Sequence, residues 1–174
     1  MPLQALLGMI LAGGSVVTID GLSARTPAEW QEAKVTSPMR VKQFTLPRTA
    51  GDKADAELII FFFGPGGGGD AESNVARWKS MFEPPAGKSI EAVTKVQTFK
   101  VGKVLVTYLD VSGTYLFKVR PVDPSLTAEK RPGHRMIGVV FESPQGPYFM
   151  RLVGPEKTVT HYKGGFDAWL KSFK

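Results

Sequence analysis

The chain has 174 residues, 43% hydrophobic and 22% charged, a balance that supplies a full core for one domain and excludes intrinsic disorder. It has no cysteine, which removes disulfides, thiolate zinc sites, iron–sulfur clusters and cysteine nucleophiles together. Twenty-two basic against 16 acidic residues give a formal charge of +6, but Lys and Arg are scattered without a run of five, so we expect a solvated surface and no specific nucleic-acid site.

Residues 1–17, MPLQALLGMILAGGSVV, contain an apolar stretch from Ala5 to Ala12 that is too short to span a bilayer. Small residues follow it, as in a secretory signal, yet no Lys or Arg precedes it. Two readings stay open: an export signal, which would place the protein in the periplasm or outside the cell, or a buried first segment of a protein that stays in the cytoplasm. Residues 18–174 read as a single domain without internal repeats.

Val16 to Trp30 places β-branched residues around Asp20-Gly21 and predicts an opening hairpin, with Pro27 and Trp30 forming a corner. Met39–Leu46 predicts a second strand. Glu57–Phe63 (ELIIFFF) is an apolar run bounded by turns, expected to be the central strand, covered on both faces. After GPGGGG, Asp70 is a cap residue for a helix over Ala71–Phe82, with Trp78 on its apolar side. The glycines do not make a phosphate loop, because no Gly-Lys-Ser/Thr enters the helix and Asp70 and Glu72 put negative charge where the anion would sit. They read as a flexible connection.

Strands are expected over Val93–Lys100, Lys103–Leu109 and Gly113–Val119, then an exposed loop over Pro121–Gly133. Arg135–Glu142 and Tyr148–Val153 flank Ser143–Pro147 as a hairpin. Gly154-Pro155 opens a last helix whose apolar stripe is Val159, Tyr162, Phe166, Trp169 and Phe173. Gly164-Gly165 weakens it by about 1 kcal/mol per glycine relative to alanine, which packing of the stripe must offset.

The stretches GLSARTPAEW near the start and GPYFMRLVGPEKTVTHYKGGFDAWLKSF at the end carry a resemblance to the PsbP-like fold. They resemble its opening Pro-Trp corner and its closing strand, Gly-Pro break, helix and Ser-Phe. The resemblance implies an α+β fold, an antiparallel sheet flanked by helices in an α/β/α sandwich. Its members include extrinsic thylakoid-lumen proteins of photosystem II, a Ran-binding import factor and an exported bacterial branch, to which this chain is most similar. Leu22 stands where many members have an aromatic residue, GPGGGG is no general feature, and the matching motifs are packing motifs that transfer no binding residue. The resemblance therefore implies a non-catalytic accessory domain with a protein partner, and no cofactor.

Among candidate residues, Asp110 interrupts apolar strands, and either fixes a bulge or turn at Gly113 or forms a polar binding site with Ser112 and Tyr115. The basic stretch Glu129–Arg135, with Lys130, Arg131, His134 and Arg135, is the expected partner-contact loop. His134 and His161 lie in no catalytic motif, and no G-x-S-x-G is present. Trp30, Trp78 and Trp169 are expected in the core. Two alternatives to a protein-binding role are a carrier holding a small apolar or anionic molecule between sheet and helix, and an enzyme built around Asp110, His134 or His161.

Overall fold

The computed structural model describes residues 13–174, so the apolar segment on which the export reading rests lies outside them. Strands β1 (Val16–Ile19) and β2 (Leu22–Arg25) form the expected hairpin as a separate two-stranded sheet. Its turn residues Asp20 and Gly21 have φ of 47° and 80°, the paired positive angles that match the twist of two adjoining strands.

The main sheet is antiparallel throughout and runs in the order β3 (Gln31–Ala33), β4 (Arg40–Leu46), β5 (Ala56–Phe62), β10 (Gly146–Pro155), β9 (Glu129–Ser143), β8 (Val104–Phe117). Two strands share the outer edge of β8: β7 (Thr94–Val101) along its first half and β6 (Phe82–Glu83) near its end. Helix α1 (Ala71–Ser80) lies on one face and α2 (Glu156–Lys171) on the other, which is the expected α+β arrangement.

Strand alternation divides the core between the two faces. Ile137, Val139 and Phe141 of β9 face α2 and pack with Trp30, Phe166 and Trp169. Trp30 lies 5.3 Å from Trp169, edge to face. Met136 and Val140 face α1 and pack with Trp78 and Phe149. All three tryptophans are buried, as their spacing predicts. Trp78 sits on bare backbone: a Cβ on Gly138 would lie 2.5 Å from its ring, so the missing side chain makes the seat.

Both helices have acidic caps. The carboxylate of Asp70 accepts the Ser73 amide at 2.7 Å, as expected, while α2 is capped from afar by Asp52, which accepts the Thr158 amide and hydroxyl at 3.0 and 2.6 Å. In both cases these hydrogen bonds hold the carboxyl below the usual aspartate range, led by the Thr158 side chain at Asp52 and the Ser73 amide at Asp70.

Several expectations are corrected. The central strand is β10; β5 is its neighbour, though Leu58 and Ile60 are fully buried as expected. Lys103–Leu109 and Gly113–Val119 are parts of one 14-residue strand, because β9 pairs with β8 across the whole of it, with a register shift only between Gly113 and Tyr115. Helix α1 stops at Ser80 so that Phe82 can pair with Tyr115. The glycine connection is packed as well as permissive: Gly68 has φ 86° and lies so close to Phe149 that a Cβ would be 2.4 Å from its ring.

Candidate functional site

A sheet of six strands in sequence plus an edge pair is about 29 Å wide at the usual strand spacing. Helix α1 is about 15 Å long and roughly 10 Å across, so it covers only part of its face. It packs mainly against β9, β8 and β6, so that side of β4 and β5 is less covered. The result is a cleft of about 600 Å³.

The floor of the cleft is set by register. Gln43 of β4, Ile59 of β5, Arg151 of β10 and Gly138 of β9 stand side by side across the sheet, and Arg40 pairs with Phe61 in the next row. One wall is the last turn of α1, with Arg77, Ser80 and Met81. The other is the end of β8, held to α1 by the Leu116 amide donating to the Met81 carbonyl at 2.8 Å, and the segment after it. That segment presents Val119 and Val122, 78% and 93% exposed, beside the opening.

Three arginines from three elements, Arg40, Arg77 and Arg151, line this space. Among the described residues none has a carboxylate within 4 Å. Arg151 is the exceptional one. Its guanidinium touches the Met81 sulfur at 3.8 Å and lies 5.0 Å from the centre of the Phe61 ring, with Arg40 at 5.8 Å from the same ring. Burial pushes its pKa down, since the charged form has lost water and the more distant Glu57 offsets this only in part. Arg40 donates to Gln43 and Arg77 to Asn74, both neutral acceptors.

The residues expected to bind are elsewhere and are largely satisfied. Glu129–Arg135 belongs to strand β9, not to a loop, because it pairs with the end of β8. Lys130 pairs with Glu83 at 2.9 Å, and Arg131 with Glu129 at 3.1 Å while lying over Phe117. His134 stacks on Tyr115, and burial lowers its pKa. Arg135 points to the opposite face, where it holds both oxygens of Asp110 at 2.8 and 2.6 Å and donates to Thr160 of α2. The hydrogen bonds to Asp110, more than any other influence, raise the Arg135 pKa.

Asp110, Ser112 and Tyr115 do not converge. Asp110 and Ser112 alternate with Val111 onto the α2 face, whereas Tyr115, beyond the register shift, packs on Phe82 and lines the cleft. His161 is exposed on α2 against Tyr162. Among the described residues no three His, Cys, Asp or Glu side chains are grouped to hold a metal, and no helix is long and apolar enough to cross a membrane.

No protein-family model matches the chain, and no curated protein matches it. Solved structures do. The solution structure of cyanobacterial PsbP from Synechocystis sp. PCC 6803 is 14% identical, with 100% of this chain and 99% of that one covered and a TM-score of 0.53. A Pseudomonas aeruginosa protein of unknown function described as a putative regulator is 13% identical over 91% and 94% of the two chains, TM-score 0.47. The Saccharomyces cerevisiae Ran-binding protein Mog1p is 10% identical over 92% and 94%, TM-score 0.48. The chain has the PsbP-like fold.

Proposed function

We propose that this chain is a non-catalytic accessory domain that binds a protein partner in the cleft beside α1. One observation carries the reading: a central-strand arginine faces an open cleft with no carboxylate within 4 Å to pair with it. Burying an unpaired charge costs stability, and the cost is understandable where a ligand supplies the missing carboxylate. The exposed valines at the rim add the apolar area that a protein interface uses at its centre. If residues 1–17 act as an export signal, the domain works in the cell envelope; the mass of the native protein from its host would reveal the cleavage.

The test is site-specific photo-crosslinking in the native host. Benzoylphenylalanine replaces Val122 at the cleft or Lys171 on the other face. We expect a discrete protein adduct from position 122 that disappears with Arg77→Ser, and none from 171. Adducts only from 171, or adducts from 122 indifferent to Arg77, would overturn the reading.

A further inference from the structure

Resting on the protein-binding reading, we infer that the cleft takes an acidic, partly apolar peptide segment of the partner, whose carboxylates meet Arg151, Arg77 and Arg40 beside the ring of Phe61. The contrast within the molecule supports this. Arg135, on the opposite face of the sheet, is tied to both oxygens of a carboxylate. Arg151 has a sulfur and an aromatic ring instead. Arg40 and Arg151 come from strands on either side of β5, and their guanidiniums lie by the same Phe61 ring, so their charges act on one place.

The lining also distinguishes among anions. Arg40, Arg77, Arg151 and Lys118 against Glu57 leave a net charge of +3, more than a single carboxylate neutralises. Glu57 sits in the same cleft, where its carboxylate can accept a peptide N–H. Val119 and Val122 favour apolar side chains between the acids. An extended peptide that combines acidic and apolar residues satisfies all three conditions. Guanidinium forks bind carboxylates with two parallel hydrogen bonds, which gives direction as well as charge.

The experiment is calorimetric titration of the purified full chain with acetyl-Leu-Glu-Asp-Leu-Glu-Val-amide. Its Gln/Asn counterpart, inorganic phosphate, and vesicles of phosphatidylglycerol with phosphatidylcholine serve as comparisons. We expect the acidic peptide to bind, with affinity falling as salt rises. The neutral peptide, Arg151→Met and Arg77→Ser should each weaken binding by about tenfold or more. Arg77 is exposed on α1, so its variant reports on binding even if Arg151→Met alters the fold. Equal binding of the two peptides, or indifference to both substitutions, would overturn the inference, as would arginine-dependent binding of phosphate or vesicles without peptide binding. If the acidic peptide is ignored while the Val122 adduct persists, the ligand class is wrong and the protein-binding reading stands; loss of the adduct as well removes both.

Discussion

Arg135 holds Asp110 by two hydrogen bonds, 2.8 and 2.6 Å, across the β8–β9 ladder, and both side chains are less than one-fifth exposed. Removing one partner strands the other. We expect Asp110→Ala to lower unfolding free energy by about 3 kcal/mol, and the Asp110→Ala, Arg135→Met pair to lose less than the sum of the two single changes. Urea denaturation of the four proteins checks this; simple additivity would show that the pair is not coupled.

Gly138 sets the seat of Trp78. Gly138→Ala should cost about 2 kcal/mol, because the added methyl meets a ring held by the α1 face of the core. Combining it with Trp78→Phe should recover part of that loss, measured by the same unfolding curves. A neutral Gly138→Ala would show that α1 can slide.

Gly164 is the converse case. It lies in α2 with nothing within 4 Å of an added Cβ, and its φ is not positive. Gly164→Ala should therefore stabilise by about 1 kcal/mol, through helix propensity and a less flexible unfolded chain. A rise in Tm with no change in the binding titrations is the expected result.

The helix caps give an acid limb to stability. Asp52 and Asp70 have folded-state pKa values below the ordinary 3.8, so the unfolded chain takes up protons first as pH falls. Their contribution is complete above that value and disappears as pH drops through the lower folded values. Asp52→Asn and Asp70→Asn should each flatten the decline of stability below about pH 4, followed by urea midpoints across pH. An unchanged slope would mean that neither carboxylate is held in the folded state.

Much of the fold was legible because local chemistry and packing agree. Asp20-Gly21 reads as a tight turn and Asp70 as a cap, and both form as read; the stripe from Val159 forms one buried helix face as far as Trp169, with Phe173 buried just beyond the helix end. The strand β6 and the length of β8 were hidden, since they depend on pairing across distant segments that no local pattern encodes. The site was obscured for a related reason. Asp110 attracted attention as a polar residue among apolar ones, and Arg151 in YFMRLV has the same signature. What separates them is the partner: Arg135 lies 25 positions from Asp110 and pairs with it, whereas Arg151 meets Met81 and Phe61. Only the arrangement of β4, β10 and α1 brings Arg40, Arg77 and Arg151 to one cleft.

Stability and binding should trade against each other at Arg151, and thermal unfolding of the wild type and Arg151→Met, with and without the acidic peptide, measures both at once. The account predicts that bare Arg151→Met is more stable than the bare wild type by about 1–2 kcal/mol, because methionine fills the site without a buried charge. It also predicts that the peptide raises the Tm of the wild type and leaves that of Arg151→Met unmoved. A less stable Arg151→Met together with a wild type indifferent to the peptide would contradict it, and would make Arg151 a part of the fold rather than the seat of a ligand.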